Sequence, residues 1–365
     1  MRRIYSIRCV ALICALVMCY SLSALERVVH YPSVDQYGDS LLLSGKVTIP
    51  ETDSIKGIIL LLHYTISSDA EAPSNTIMPE AQVFIDDYVL VMPDYIGYGI
   101  TRERIHPYLH GSLTARNAVD MLLATRALLD SMQVQPYSDG IYIVGYSQGG
   151  SAALWTLRLL EEQYASQIPV IKCFAGSGPH DVATTFDDAV KRNRVGLPIV
   201  IPYLVVGTKA AYGLDIDPEA FFTPAMKKKY DRYVVNKNYG IASLYFRMPQ
   251  HRLRHWMTKE GMDKTHPVTK QMYDGLLRSS MVHYPIDDSE IGRDSIVITW
   301  RPSSPTYIFH SEKDDVVTYY NALHLQRAIG ALPNVVYDFG HYGGHLRSAM
   351  TFFPRVREQL NELTN

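Results

Sequence analysis

One stretch of sequence decides the fold: Ile141-Tyr-Ile-Val-Gly-Tyr-Ser-Gln-Gly-Gly-Ser-Ala-Ala-Leu-Trp155. It predicts a short apolar strand, a Gly-Tyr-Ser147-Gln-Gly turn and an amphipathic helix that continues to about Ala165. A serine between a strand and a helix is forced onto a strained turn, the arrangement called a nucleophile elbow. The glycines around the serine let strand and helix pass close together. We therefore interpret Ser147 as a nucleophile, the alternative being an incidental turn.

The rest of the chain alternates between strand and helix patterns. Apolar runs predict strands over residues 41–50, 57–63, 88–92, 170–175, 306–310 and 335–339. Helical patterns cover residues 112–132 and 319–329, a final segment from about Leu346 and, less regularly, residues 75–87. This alternation is typical of an α/β fold with a doubly wound, mostly parallel sheet.

The alternation breaks between residues 187 and 285, which are mostly helical in pattern and rich in Tyr, Met and Lys. We expect an inserted helical cap there, between a first part of the core (24–186) and a second part (286–365). The cap holds 16 Lys and Arg against 9 Asp and Glu, in a chain whose formal net charge is -2. Either this excess is a solvated face, or the cap is a lid attracted to anionic surfaces or substrates.

The first 23 residues have the pattern of a secretory signal. A basic segment up to Arg8 precedes an apolar segment, and small residues stand at Ser21 and Ser23. The pattern predicts cleavage just after Ser23 and export, with a periplasmic or extracellular location. Two alternatives are a membrane anchor retained over residues 9–25, which is short for a spanning helix, and a lipid anchor at Cys19.

Composition excludes few classes of protein but constrains partners and disulfides. With 47% hydrophobic and 20% charged residues, the 365-residue chain can form a large core. No long basic run is present, so we do not expect nucleic acid as a partner. Removal of the signal would leave Cys173 alone, with no partner for an internal disulfide. Its apolar surroundings predict a packed, buried residue.

A serine nucleophile requires a base to accept its proton and a carboxylate to orient that base. The loop after the strand at 306–310 offers Asp314 as the acid, with Asp315 as its rival. The glycine-rich loop before the final helix offers His345 as the base, with His341 as second candidate. The two histidines could also bind a metal, but no third ligand has suitable spacing, so we expect none.

Acyl transfer also needs N–H donors for the developing oxyanion. One is expected to be the backbone N–H of Gln148, at the start of the elbow helix. The other is expected from the loop after the strand at 57–63, either at Tyr64 or at Thr65. Most of the remaining histidines are expected to be structural: His63, His106, His110, His251, His255, His266, His283 and His324.

Five motifs together resemble the secretory lipase branch of the α/β-hydrolases: His63-Tyr-Thr65, Pro93-Asp-Tyr-Ile-Gly-Tyr-Gly99, His106-Pro-Tyr-Leu-His110, Gly145-Tyr-Ser-Gln-Gly-Gly150 and Gly344-His345. The resemblance covers most of residues 40–180 and 300–350 and is thinner across the cap. It implies an α/β-hydrolase fold and a secreted carboxylic-ester hydrolase without a cofactor. Lipid as a substrate is implied by the resemblance alone. Asp94 is expected to be a buried, hydrogen-bonding residue of a structural turn.

The sequence therefore predicts an esterase or lipase with the triad Ser147, His345 and Asp314 and an acyl-enzyme intermediate. Two rival functions remain: a serine exopeptidase with the same triad, and a catalytically silent hydrolase fold used for binding. A small-molecule or lipid ester is the expected partner, and no obligate protein partner is evident. Apolar stretches of the cap predict an acyl slot, lined from residues 199–206, 221–222, 245–246 and 256–257.

Overall fold

The computed structural model describes residues 24–286 and 298–364. The predicted signal, residues 1–23, lies outside the described residues. Eight strands form one sheet: β1 (Ala24–Val34), β2 (Ser40–Pro50), β3 (Gly57–Leu62), β4 (Tyr88–Pro93), β5 (Ile141–Tyr146), β6 (Val170–Gly176), β7 (Thr306–Ser311) and β8 (Val335–Gly340). The predicted α/β fold class is confirmed.

The strand order in the sheet is β1-β2-β4-β3-β5-β6-β7-β8. Strands β3 to β8 pair in parallel, whereas β2 runs antiparallel to both β1 and β4. Every residue of β3, β4 and β5 is buried, which explains their continuous apolar sequences. Because β5 is central, the turn that follows it lies at the middle of the carboxyl edge of the sheet, where ligands bind in open α/β sheets.

Strand β1 has no counterpart among the predicted strands. It lies at the edge of the sheet and is half exposed, and its sequence has neither a continuous apolar run nor a regular alternation. Pairing with β2 over its whole length, from Ala24 opposite Pro50 to Val34 opposite Ser40, holds it in place. The two strands form an antiparallel hairpin joined by residues 35–39, and β1 was missed because its exposed, irregular sequence does not show a strand pattern.

Ten α-helices complete the described chain: α1 (Gly111–Ser131), α2 (Gln148–Gln163), α3 (Val182–Arg192), α4 (Val200–Tyr212), α5 (Pro224–Tyr230), α6 (Ile241–Arg247), α7 (Lys259–Met262), α8 (Pro267–Ser279), α9 (Tyr320–Ile329) and α10 (His345–Thr364). Short 3₁₀ segments occur at Asp69–Glu71, Pro79–Val83, Gly99–Thr101, Pro218–Phe221 and Leu253–His255, and a π-helical turn at Asp231–Val235. As expected, Cys173 on β6 is a buried free cysteine.

The helix predicted over residues 75–87 is wrong in extent. Only Pro79–Val83 is helical, as a 3₁₀ segment. Pro79 begins this segment, and Met78 before it is extended, as expected for a residue that precedes proline. The apolar residues that suggested a helix, such as Phe84 and Ile85, are buried under β4 from an irregular loop.

Between β6 and β7 the described residues contain helices α3 to α8 and no strand of the sheet. These helices share a core of their own, in which Phe221, Phe222, Trp256 and Met257 are almost fully buried. The predicted start of the cap at residue 187 falls inside α3. The division into core and cap stays a prediction.

A buried carboxylate, Asp181, fastens this helical region to the rest of the molecule. Its side chain is the N-cap of α3 and accepts hydrogen bonds from His283 (2.8 Å) and from His324 on α9 (2.7 Å). Burial by itself raises the pKa of Asp181, but the bonds from the two histidines outweigh burial and keep the pKa below its ordinary value. A charged group with this many donors is satisfied despite complete burial.

Candidate active site

The turn after β5 places Ser147 in a strained backbone conformation, with φ 58° and ψ −123°. Non-glycine residues seldom adopt positive φ, and such strain is concentrated at functional sites. Helix α2 begins at the next residue, Gln148, so the free N–H groups of its first turn lie beside the serine. This is the strand–turn–helix arrangement that the sequence predicts.

Two glycines of α2 allow the helix to approach the sheet at the elbow. A Cβ atom on Gly149 would lie 1.9 Å from the carbonyl oxygen of Leu62 on β3. On Gly150 it would lie 2.3 Å from the carbonyl oxygen of Gly176 on β6. Any larger residue at these positions would push α2 away and move Ser147 with it.

The three residues predicted as a triad form one hydrogen-bonded chain. The Nδ1 atom of His345 lies 2.7 Å from Oδ2 of Asp314, and its Nε2 atom lies 2.8 Å from Oγ of Ser147. Because the ionised carboxylate is only an acceptor, Nδ1–H donates to Asp314. The Nε2 lone pair is then available to accept the proton of the serine hydroxyl. All three side chains are buried.

The pKa values of the acid and the base move in opposite directions. Burial by itself lowers the pKa of His345, but the Asp314 carboxylate outweighs it, so the pKa lies above the ordinary value of 6.5. Burial by itself raises the pKa of Asp314, yet the charge and the hydrogen bond of His345 hold it below its ordinary value. Asp314 also accepts from the N–H groups of Val316 (3.0 Å) and Val317 (2.8 Å). It therefore stays ionised while His345 exchanges a proton.

The rival residues have other partners. Asp315 Oδ1 accepts from the backbone N–H of His345 at 3.0 Å, whereas the imidazole is bonded to Asp314 and Ser147. His341 is 66% exposed and pairs with Glu312 at 3.0 Å. The geometry thus favours Asp314 over Asp315 and His345 over His341, and it gives the two histidines different surroundings.

Several groups hold the loop that carries His345. The hydroxyl of Tyr146 donates to the carbonyl oxygen of His345 at 2.7 Å, and Ser348 Oγ donates to the same oxygen at 3.0 Å. The hydroxyl of Ser311, at the end of β7, donates to the carbonyl oxygen of Gly343 at 2.6 Å. This bond links the strand that precedes the acid loop to the histidine loop.

The predicted oxyanion donors border the serine from two sides. Gln148 begins α2, and its backbone N–H has no acceptor among the described residues. Tyr64 and Thr65 follow β3, and their N–H groups likewise have no acceptor within residues 24–286 and 298–364. His63 lies 2.6 Å from the carbonyl oxygen of Tyr64, which fixes the peptide between Tyr64 and Thr65. The choice between these two residues as second donor stays open.

The turn at Pro93–Gly99 supports this loop, and Asp94 is buried as expected. Its carboxylate accepts from the Ser44 hydroxyl (2.6 Å) and from the Ser74 N–H (2.8 Å). The ring of Tyr95 packs on His63 with 4.0 Å between centroids. The interpretation of Asp94 as a structural residue is confirmed.

A small cavity of about 20 Å³ lies between this loop region and the helical region. It is lined by Tyr98, Ile105, His106, Tyr108, Tyr203, Val206, Gly207, Val234 and Lys237. Of the four stretches predicted to form an acyl slot, residues 199–206 line this cavity, which has room for about one water molecule and not for an acyl chain. Residues 221–222 and 256–257 belong to the core shared by α3 to α8, and Phe246 is half exposed.

The described residues contain neither a candidate membrane span nor a candidate metal site. Within residues 24–286 and 298–364, no helix combines the length and apolarity required to cross a membrane. In the same part of the chain, no group of three or more His, Cys, Asp or Glu is arranged to hold a metal ion.

One residue beside the site makes a contact that the sequence did not indicate. His106, expected to be structural, lies 2.7 Å from the side-chain amide of Gln148 and also lines the cavity. A histidine more than forty positions before the serine gives no local signal of this contact. The motif His106-Pro-Tyr-Leu-His110 was the only sign that this loop belongs near the site.

Comparison with known proteins agrees with this architecture. The secretory lipase family model matches residues 76–215, somewhat under half of the chain. A secreted triacylglycerol lipase of Malassezia furfur is 23% identical over 295 residues, which cover 76% of this chain and 69% of the relative.

Two solved structures are similar in fold. The rice cell wall degrading esterase LipA of Xanthomonas oryzae, in a ligand-bound form, superimposes with a TM-score of 0.77 at 20% identity, covering 97% of this chain and 95% of that one. Candida antarctica lipase A superimposes with a TM-score of 0.60 at 18% identity, covering 89% and 74%.

Fold and elbow together have the architecture of an α/β-hydrolase fold. The family match and the lipase relative confirm that the chain resembles the secretory lipase branch of that fold.

Proposed function

We propose that this chain hydrolyses carboxylic esters through the triad Ser147, His345 and Asp314 and an acyl-enzyme intermediate. The observation that carries the proposal is the chain of two hydrogen bonds, 2.8 and 2.7 Å long, from Ser147 through His345 to Asp314. This is the arrangement required for a serine to be activated by a base that a carboxylate orients.

In the first half of the reaction, Ser147 Oγ attacks the ester carbonyl carbon as its proton moves to Nε2 of His345. The resulting imidazolium faces the ionised Asp314, which stabilises it. Negative charge develops on the former carbonyl oxygen, within reach of the N–H of Gln148 and that of Tyr64 or Thr65. When the intermediate collapses, His345 gives its proton to the leaving alcohol, and the acyl group stays on Ser147.

In the second half, a water molecule takes the place of the alcohol. His345 accepts a proton from this water, which attacks the acyl carbon. Collapse of the second tetrahedral intermediate releases the carboxylic acid and returns the proton from His345 to Ser147. Only side chains and backbone N–H groups of this chain take part, so the reaction as proposed requires no cofactor.

The family match and the lipase relative support an ester as substrate. A serine exopeptidase would need a carboxylate to bind the substrate's amine, and neither the sequence nor the relatives point to one. A binding protein without activity would not require an intact hydrogen-bonded triad. The ester hydrolase is therefore favoured over both rivals.

The test compares an ester with an amide of similar shape. Purified protein should hydrolyse p-nitrophenyl butyrate and leave an aminoacyl p-nitroanilide intact, and a fluorophosphonate probe should label Ser147. Faster cleavage of the anilide would make the chain a peptidase. Absence of both labelling and hydrolysis would make it a binding protein.

We also propose export to the periplasm or the medium, with a mature chain that begins at Ala24. The secretory lipase family match and the secreted relative support export. N-terminal sequencing of the exported protein tests this, because an intact residue 1 would contradict cleavage.

The positive charge of the cap supports a transient contact with anionic surfaces. Lys227 and Lys228 on α5 are exposed and adjacent. Because screening weakens such attraction, binding to vesicles of anionic lipid should fall as salt is raised. Equal binding to neutral and anionic vesicles would indicate that the charges form only a solvated face.

A further inference from the structure

His106 lies in the loop between the 3₁₀ turn Gly99–Thr101 and helix α1, and its side chain is buried. Three aromatic rings surround the imidazole: Tyr95 is stacked with 6.1 Å between centroids, Tyr98 lies at 5.3 Å and Tyr108 at 5.9 Å. Gly97 lies against its backbone, since a Cβ atom there would be 2.7 Å from the His106 nitrogen. The ring is therefore held in one place.

Two hydrogen bonds determine which nitrogen of His106 carries the proton. Nδ1 lies 2.7 Å from the carbonyl oxygen of Ile96, which can only accept, so Nδ1–H is the donor. Nε2 then has a lone pair and accepts from the side-chain Nε2–H of Gln148 at 2.7 Å. Burial lowers the pKa of His106 to about 3, which favours the neutral ring that the two hydrogen bonds require.

Gln148 is the residue whose backbone N–H is proposed to bind the oxyanion. Its side chain is buried, and His106 is the acceptor found for its amide among the described residues. As the first residue of α2, Gln148 has no preceding helical turn to hold its N–H direction. The bond to His106 supplies this restraint from outside the helix.

We propose that His106 is a positioning residue for the oxyanion hole: by holding the Gln148 side chain, it keeps the Gln148 backbone N–H aimed at the developing negative charge. This inference rests on the proposed ester hydrolysis. A loose donor binds the substrate carbonyl almost as well as a fixed one but stabilises the oxyanion less, so the loss appears in kcat and not in KM.

The experiment compares two substitutions of His106 with a control in the same loop. His106→Leu removes the acceptor, whereas His106→Gln keeps an amide oxygen that can accept from Gln148. His110→Ala is the control, because the His110 ring stacks on Tyr212 and its Nδ1 accepts from the backbone N–H of Leu113, away from Gln148. Rates are measured with p-nitrophenyl butyrate and divided by the concentration of sites titrated with a fluorophosphonate, which removes the effect of misfolded protein.

We expect His106→Leu to lower kcat about 10-fold, with KM changed less than about 2-fold, since loss of a complete oxyanion donor costs roughly 10²–10³. Affinity for a trifluoromethyl ketone, which forms an oxyanion on Ser147, should fall by a similar factor. His106→Gln should recover most of the rate. In Gln148→Met the His106→Leu substitution should have little further effect, because the bond is already absent.

Several results would overturn the inference. In His106→Leu, these are an unchanged kcat per titrated site, or a change confined to KM or to the number of titrated sites. An equal fall of kcat in His106→Leu and His106→Gln would also do so, as would a double variant His106→Leu, Gln148→Met in which the two losses of kcat add. A wild-type protein that neither hydrolyses the ester nor reacts with the probe would instead refute the proposed function itself, and the inference with it.

Discussion

Replacement of Asp314 by asparagine tests how the acid acts on the base. The wild-type carboxylate uses Oδ1 to accept from the N–H groups of Val316 and Val317, and Oδ2 to accept from His345. An asparagine has one acceptor atom and one NH₂ group. If its oxygen keeps the two backbone bonds, its NH₂ group faces Nδ1 of His345. The imidazole must then carry its proton on Nε2, where it cannot accept the proton of Ser147.

The opposite orientation of the asparagine is less favourable. Its NH₂ group would face two buried backbone donors, each left unsatisfied at a cost of ~1–3 kcal/mol. The amide therefore adopts the orientation that disables the base. With the negative charge lost as well, kcat should fall on the order of 10⁴-fold, or about 5.4 kcal/mol of transition-state stabilisation.

The assay measures the rate of p-nitrophenyl butyrate hydrolysis per milligram of protein. Each variant is first shown to unfold at the same temperature as the wild type. Asp315→Asn is the matched control, since an asparagine there can still accept from the N–H of His345. It should lose less than about 10-fold, because one neutral hydrogen bond contributes ~0.5–1.5 kcal/mol. A small loss of kcat in Asp314→Asn together with a large loss in Asp315→Asn would refute this reasoning. Asp315 would then be the acid of the triad.

Three further outcomes are expected. His341→Ala should keep kcat/KM within about 3-fold of the wild-type value, because an exposed ion pair such as that between His341 and Glu312 contributes only ~0–1 kcal/mol. A loss as large as that of His345→Ala would contradict this. The acid limb of the kcat/KM profile should have its midpoint above pH 6.5, since activity requires neutral His345, whose pKa is raised. Asp315→Asn should move this midpoint to lower pH, because the Asp315 carboxylate helps to raise the His345 pKa. A wild-type midpoint below pH 6.5 would contradict the assignment. In a p-nitrophenyl series from acetate to palmitate, kcat/KM should rise through short acyl chains at up to ~0.8 kcal/mol per buried methylene. A monotonic fall from acetate would remove the case for an acyl slot.

The order of the main elements could be predicted because local sequence determines them. Buried parallel strands such as β3 and β5 need continuous apolar runs, and the elbow at Ser147 needs glycines next to it. Edge strand β1 was not predicted, because its half-exposed sequence lacks both an apolar run and a regular alternation, although it pairs with the neighbouring strand β2. The loop before β4 was not predicted, because packing against the sheet determines its conformation. Among the candidate site residues, types and order indicated Ser147, Asp314 and His345.

The choice between neighbouring candidate residues of the site required the three-dimensional structure. Asp314 and Asp315 are adjacent and chemically identical, and only the direction of each carboxylate separates them. The contact between His106 and Gln148 joins residues far apart in the chain, so it has no local pattern. The size of the cavity depends on how α4 lies against Tyr108, which the amphipathic pattern of a helix does not specify.

The most direct test of the account is Ser147→Ala, measured as ester hydrolysis and as fluorophosphonate labelling on the same preparations. Ser151→Ala, a buried serine of the same helix without a role in the proposed reaction, is the control. Because triad members act as a unit, Ser147→Ala should lower kcat by on the order of 10⁴-fold or more and abolish labelling, while the control keeps both. A Ser147→Ala protein that is free of wild type and retains a tenth of the activity, or a probe found on another residue, would contradict the account.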